Sequence, residues 1–353
     1  MWKRKLLMFI AILAVIGTVP GWLSQYQAGA QDEPGGLLES PAGEQMELSP
    51  LTQRTANSIA HIFPTVSMAA DLGILAPAVD RGPALYHGGP IMSNVTIYAI
   101  FWLPSSSKLQ NRASTTIPVH YRTVLENMLA DYPGHGIDNN NTQYYQTVGG
   151  TTTYIGNSGG FGGSYLDTRA YPASICTDIA TPGNCITDAE IQSEIRRVMS
   201  LKRWTGGLNK IFLLFTSSGE GSCFDSTSTY CAYVQFCAYH SYFLKDSTPV
   251  IYANMPYGNP SLCQVSGTPS PNSDPPADTA ATAACHEVTE SITDPEQNAW
   301  YTADGNEIAD LCAYNYGTNT WDFIEANQMW NGHFYELQQI FDNHVSACVQ
   351  VGP

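Results

Sequence analysis

Apolar residues recur along this chain in two rhythms, near-continuous runs and helical spacing, and the order of the two outlines a fold. "NVTIYAIFWL" (94–103) is an almost unbroken apolar, β-branched and aromatic run, as expected of a strand covered on both faces. "VHYRTVLENMLADYPG" follows, with Val119, Val124, Met128 and Leu129 at helical spacing and a Pro-Gly stop. The polar, Gly-, Asn- and Thr-rich stretch 136–165 predicts hairpins and an exposed loop. "TDAEIQSEIRRVMS" (187–200) predicts a helix opened by a capping box of Thr187 and Glu190. Three strands are then expected, in "NKIFLLFTSS" (209–218), "CAYHSYF" (237–243) and "PVIYANMPY" (249–257). Last comes a helix near 278–294 in "ADTAATAACHEVTESITD", with Asp278 as N-cap and Pro295 forcing its end. This order predicts an α/β (α+β) fold, a mixed sheet backed by helices in one domain over 85–353.

Ahead of that domain the pattern changes. Residues 1–30 carry a basic start (Lys3, Arg4, Lys5), an apolar stretch to about Leu23 and the cleavage-site pattern Ala28-Gly29-Ala30, which together predict a secretory signal peptide. An uncleaved signal anchor is the alternative. Residues 31–84, rich in Pro, Gly, Ser, Gln and Ala with weak periodicity, are expected to be a pro-segment or a linker to the cell surface.

Charge narrows the partners. The chain has 31 acids against 15 bases, a net charge of −16 that becomes −19 once residues 1–30 are removed. Nucleic acid is therefore excluded as a partner, and so is the membrane after signal cleavage. The protein is expected outside the cell, secreted or attached at the cell surface. All nine cysteines lie in the exported part, where disulfides are favoured. Cys176 and Cys185 flank the turn-rich "TDIATPGN" and are expected to pair. The odd total leaves a free thiol, assigned to Cys285 inside the last helix.

The acids are also unevenly placed. Residues 283–312, "AACHEVTESITDPEQNAWYTADGNEIADLC", hold one histidine and seven carboxylates in a chain with only 13% charged residues, and Lys and Arg all but vanish from 246 onward. On a helix His286 and Glu290 stand at i and i+4, one turn apart on one face, so both can reach a single metal ion. Ala284, Val288 and Ile292 repeat at the same interval on the opposite side and would hold the helix to the core. Glu287 sits where H-E-x-x-H helices carry the general base for a metal-activated water. The bland alternative is a solvated acidic helix face, but unpaired carboxylates in a region without bases call for a cation.

"HEVTESITDP…NEIADL" resembles the thermolysin-like gluzincins. That resemblance implies a zincin-like fold, with His286 as first metal ligand, Glu287 as general base, Glu307 as third ligand and Asp310 as a carboxylate acceptor for His286. The chain departs from the pattern at Glu290, which replaces the second histidine. A longer resemblance, carried by "YHGGPIMSNVTIYAIFW", "IFLLFTSS", "CAYHSYF" and "TDPEQNAWY", is to the exordium (phosphate-induced protein 1) family and its bacterial secreted relatives. It implies an extracellular protein without a defined activity.

A His/Glu/Glu set puts two negative charges on the ion where His/His/Glu puts one. That lowers its Lewis acidity and widens the choice from Zn to harder ions such as Mn or Ca. The expected cofactor is thus one divalent metal, Zn first, held by His286, Glu290 and Glu307, with Asp294 and Asp310 supporting the ligands. Trp300 and Tyr301 either line a substrate cleft or plug the core. His240 is a core histidine, a metal ligand or a proton donor. The reading is a secreted metal-dependent hydrolase acting on a peptide or cell-wall polymer through Glu287. Its alternative is a non-catalytic exordium-like binding or signalling protein.

Overall fold

In the computed structural model, residues 49–54, 59–75, 82–104, 118–321 and 324–353 are described, and the expected signal peptide lies outside them. The elements that position the site are β1 (Thr52–Arg54), β2 (Ile59–Pro64), β3 (Val95–Trp102), α1 (Pro118–Asp131), β4 (Gly159–Asp167), α2 (Asp188–Lys202), β5 (Lys210–Phe215), β6 (Phe236–Lys245), β7 (Thr248–Met255) and α3 (Pro275–Thr293). The strands form one seven-stranded sheet in the order β1-β2-β6-β7-β5-β3-β4. The β1, β2, β6 and β7 side is antiparallel, and β7, β5, β3 and β4 run parallel. The fold is therefore mixed α/β, as the element order predicts. Parallel neighbours need long connections, and α1 and α2 lie in the two that join β3 to β4 and β4 to β5.

Alternation along β6 sorts the helices onto two faces, because successive side chains of a strand point opposite ways. Tyr239 donates to Asp188 at the start of α2, 2.8 Å away, while His240 reaches Glu287 of α3 at 3.2 Å. So α2 and α3 cover opposite faces. The α2 capping box forms as expected, with Glu190 Oε2 accepting from the Thr187 amide at 2.8 Å. Every residue of α3 from Ala277 to Thr293 is buried. Its alanines, Ala277, Ala280, Ala281, Ala283 and Ala284, let the helix pack tightly, and Val288 and Ile292 add about 1.5–3 kcal/mol each by leaving water.

Two boundaries are corrected. α3 begins at Pro275 with Asp274 as N-cap, accepting from the Ala277 amide at 3.2 Å, so Asp278 sits in the first turn instead. The segment expected as pro-segment or linker supplies β1 and β2, and β2 is hydrogen-bonded on both sides, to β1 and β6. The stretch 136–165 holds the expected hairpin, Tyr145–Val148 with Thr151–Tyr154, but it opens with a short helix, Gly136–Asn140, whose Ile137, Asp138 and Asn140 are buried, and its end enters the main sheet as β4. Disulfides Cys176–Cys185, Cys223–Cys231, Cys237–Cys263 and Cys312–Cys348 leave Cys285 as the free, buried thiol. Among the described residues no helix is long and apolar enough to cross a membrane.

Candidate metal centre

One row of residues crosses the sheet beneath α3. Thr52 of β1 pairs with His61 of β2, His61 with His240 of β6, and His240 with Ala253 of β7. Paired residues share a face, so both histidines point at the helix, and their rings lie 5.8 Å apart. Small Ala253 leaves room for the helix to descend on them. Glu287 and Glu290 meet the row from above, while Glu307 and Asp310 arrive from the chain beyond α3.

That return is built by two turns. Asp294 caps the end of α3, its Oδ1 accepting from the amides of Asn298 at 2.6 Å and Ala299 at 2.8 Å. A tight loop then closes with Thr302 N to Asn306 O at 2.9 Å and Gly305 N to Thr302 O at 2.8 Å. Gly305 adopts φ +76°, and a Cβ there would stand 2.6 Å from Ser49 Cβ, so the loop requires glycine. Asp310 Oδ2 accepts from the Glu307 amide at 2.9 Å, and the Asp310 amide donates to Glu290 Oε1 at 3.0 Å, tying the segment to the helix.

The result is three histidines and four carboxylates, His61, His240, His286, Glu287, Glu290, Glu307 and Asp310, each at most 1% exposed. Ligand atoms of His240, Glu290 and Glu307 lie within 4.8 Å of one another, and so do those of His61, Glu290 and Asp310. A third group, Cys176, Cys185 and Cys223, is already consumed by disulfides. His240 Nε2, Glu287 Oε1, Glu290 Oε2, Glu307 Oε2, Asp310 Oδ1 and Asp294 Oδ2 have no hydrogen-bond partner. Buried polar atoms in native folds are nearly always satisfied, so this concentration in one place marks a site that expects a ligand. The donors, imidazole nitrogen and carboxylate oxygen, are of the kind that could hold a metal ion.

Electrostatics agree. Burial, then the neighbouring acids, pushes Glu287 and Glu307 well above the usual carboxylate range and raises Glu290. Burial lifts Asp294 to about 7. Burial holds His240 well below its ordinary value, leaving a neutral imidazole with a free lone pair. His61 goes the other way: burial opposes its charge, but Asp310 at 2.6 Å outweighs that and raises it to about 9.

The expected residues are placed as follows. Glu290 and Glu307 belong to a converging ligand set, and its histidine is His240 where the sequence suggested His286. His286 stands beside Glu290 Oε2 at 3.0 Å and Asp310 Oδ1 at 3.6 Å, without hydrogen-bond alignment to either, its ring 4.4 Å from Phe63. Asp310 accepts from His61 where the resemblance implied His286. Glu287 Oε2 faces His240 Nδ1 at 3.2 Å, which with the glutamate ionised leaves Nε2 as the free ring nitrogen. Trp300 plugs the core, its indole donating to Tyr145 O at 2.7 Å. Tyr301 is half-buried, stacked on His87 at 3.6 Å, and burial raises its hydroxyl to about 12. With Ser49, Thr52, His61, Asp294, Gln297 and Glu307 it lines a cavity of about 40 Å³ that leads to the ligands. His61 is the residue the sequence reading missed; the apolar "IAHIFP" around it is the signal that could have revealed a strand.

Fold and site together define a class: a disulfide-bonded mixed α/β domain whose buried histidines and carboxylates could hold a metal ion. No protein-family model, curated protein or solved structure matches the chain.

Proposed function

We propose that the protein is an exported metal-dependent hydrolase of the zincin kind, a peptidase by the likeness of its last helix to the gluzincins. His240, Glu290 and Glu307 hold a divalent ion, Zn first, and Glu287 is the general base. The observation that carries this reading is the convergence of wholly buried, partnerless ligand atoms, above all His240 Nε2 and Glu307 Oε2. Bound there, a divalent ion supplies Lewis acidity and lowers the pKa of a coordinated water. Glu287 works with both oxygens: Oε2 accepts from His240 Nδ1 and orients that ring, while the unpartnered Oε1 takes the proton from water. The cavity below Tyr301 admits water to this point, since about 40 Å³ exceeds the space one water needs. A polymer substrate reaches it only when the cover formed by Ser49, Thr52 and the Ala303–Gly305 loop moves aside.

One observation favours a second reading. The complete burial of the ligands suits an ion held for structure, in an exordium-like extracellular protein that binds or signals. Elemental analysis of the purified exported protein, with Glu287→Gln tested on a peptide-substrate library, decides. Gln still accepts from His240 Nδ1 but takes no proton, so the variant should keep its metal and lose at least 100-fold in rate. A metal-loaded wild type without hydrolytic activity on any substrate class sinks the hydrolase and leaves the structural ion.

A further inference from the structure

We infer that the centre binds two divalent ions bridged by Glu290, the second held by His61 and Asp310. The inference rests on the metal-binding reading above and extends it to a site that no gluzincin likeness implies.

Geometry is the first argument. The ligand atoms do not collapse onto one point. They separate into His240, Glu290 and Glu307 on one side and His61, Glu290 and Asp310 on the other, with only Glu290 common to both. The two imidazoles belong to adjacent strands and stand 5.8 Å apart between ring centroids, with His61 Nε2 2.6 Å from Asp310 and His240 Nε2 3.6 Å from Glu307, whose Oε1 also comes within 3.4 Å of His61 Nδ1. A carboxylate shared by two histidine–carboxylate sets is how bridged two-metal sites about 3.5–4 Å apart are assembled.

Unsatisfied atoms supply an independent argument. Each half of the cluster contains fully buried ligand atoms without a partner, Glu307 Oε2 and His240 Nε2 in the first, Asp310 Oδ1 in the second, and Glu290 Oε2 is unpartnered between them. One ion placed on the first set leaves Asp310 Oδ1 orphaned.

Charge gives a third. Glu287, Glu290, Glu307 and Asp310 are buried together, and the last Lys or Arg in the whole chain is Lys245. The ion pairs these four acids make, among the described residues, are with histidines alone. A single divalent ion offsets half of their charge and two offset all of it, which matters where burying an uncompensated charge is so unfavourable. Two cations fed by oxygen-rich sets favour Zn or Mn, and Mn offers a direct readout.

The consequence falls on the N-terminal segment. Because β2 carries His61, any maturation that removed residues up to 84 would dismantle the second site, so a second ion requires that β2 stay with the chain.

The full exported chain, stripped with chelator and dialysed, is titrated with Mn²⁺ or Zn²⁺ by calorimetry and checked by elemental analysis, with electron paramagnetic resonance on the Mn²⁺ form. Two equivalents and the multiline spectrum of exchange-coupled Mn²⁺ support the inference, and His61→Gln should then drop the stoichiometry to one and leave an isolated six-line signal. One equivalent in the wild type, with a six-line spectrum, overturns the second site while leaving the mononuclear centre of the proposed function intact. No binding of either ion overturns both. The spectrum of the wild type decides even if the variant fails to fold.

Discussion

Tyr239 and His240 are consecutive in β6, and each reaches a buried carboxylate, but the two sites are built in opposite ways. On the α2 face, Asp188 is fully buried and surrounded by donors: Tyr239 hydroxyl at 2.8 Å, Gln192 Nε2 at 2.8 Å and the Tyr252 hydroxyl in a short contact. On the α3 face, buried carboxylates outnumber the donors around them, and one oxygen each of Glu287, Glu290, Glu307 and Asp310 stays unpaired. A buried acid is thus no sign of a site by itself. Asp188 is a structural knot that the protein completes from its own side chains, and the α3 cluster is one that its own side chains leave incomplete and that could hold a metal ion.

Removing the cation should separate the two faces most widely. A ligand present at a thousand times its dissociation constant stabilises by about 4 kcal/mol, on the order of 10 °C in Tm for a domain this size. Chelator should lower the thermal midpoint by that amount and Zn²⁺ or Mn²⁺ should restore it, as read by differential scanning fluorimetry. An unchanged midpoint would mean that the α3 face, like the α2 face, is complete without a metal.

The next largest effect is a reversal with pH. In the metal-free protein His61, raised to about 9, stabilises while protonated and loses that contribution as pH rises from about 6.5 through 9. Buried Glu287 and Glu307, raised well above their ordinary values, act in the same sense: the folded state keeps protons that the unfolded chain has lost, so stability falls as pH rises. His240, held low by burial, opposes only below about pH 6.5. From pH 7 to 9 the loss from His61 alone should be about 2–3 kcal/mol, as one differential proton is worth about 1.4 kcal/mol per pH unit, and the two glutamates add to the fall. With metal the slope should invert, because protons compete less for the ligands. Urea melts at pH 7, 8 and 9 test this, and parallel slopes with and without metal would count against a cation site.

Asp188→Asn should cost about 2 kcal/mol, within the range for hydrogen bonds to a charged group, and it should do so equally with and without metal. Metal stoichiometry should stay at the wild-type value. A loss of metal in this variant would show that the two faces are coupled through β6.

What the sequence disclosed of these two faces was uneven, for a physical reason. α3, its buried free thiol, the α2 capping box and the Cys176–Cys185 pairing were legible because periodicity, caps and turn residues are local. Glu287, Glu290, Glu307 and Asp310 were legible as a group because acids without bases stand out. His61 and the role of His240 were not, since both depend on the register of β2 against β6, a pairing that spans 179 positions from His61 to His240. β2 itself follows a Pro- and Gly-rich stretch, and its six-residue apolar run "IAHIFP" is a strand signal too short to say which strand it pairs with. β4 was hidden similarly: "GGFGGSYLD" has weak strand propensity, and pairing with β3 along eight positions makes it an edge strand. His286, the one histidine the helix pattern singled out, packs on Phe63 beside the ligands, because i and i+4 spacing sets which side of a helix a residue occupies but not what the facing sheet presents.

Glu290→Gln gives the smallest effect and the sharpest contrast. Glu290 lies among Glu287, Glu307 and Asp310, and these like charges are part of what raises the pKa of Glu287 and Glu307. Neutralising it in the metal-free protein removes repulsion, and Gln keeps an oxygen to accept the Asp310 amide now bound at 3.0 Å. The metal-free variant should therefore be more stable than the metal-free wild type by about 1 kcal/mol at pH 8, roughly the worth of one pKa unit of relieved repulsion on a neighbouring carboxylate. With metal added the order should reverse, because the residue common to both converging sets is lost. Asp188→Asn should show no such sign change, since among the described residues Asp188 belongs to no group that could hold a metal ion. If Glu290→Gln instead destabilises the metal-free protein, Glu290 is being held by its neighbours rather than repelled by them, and the α3 face is a self-sufficient knot like the one around Asp188.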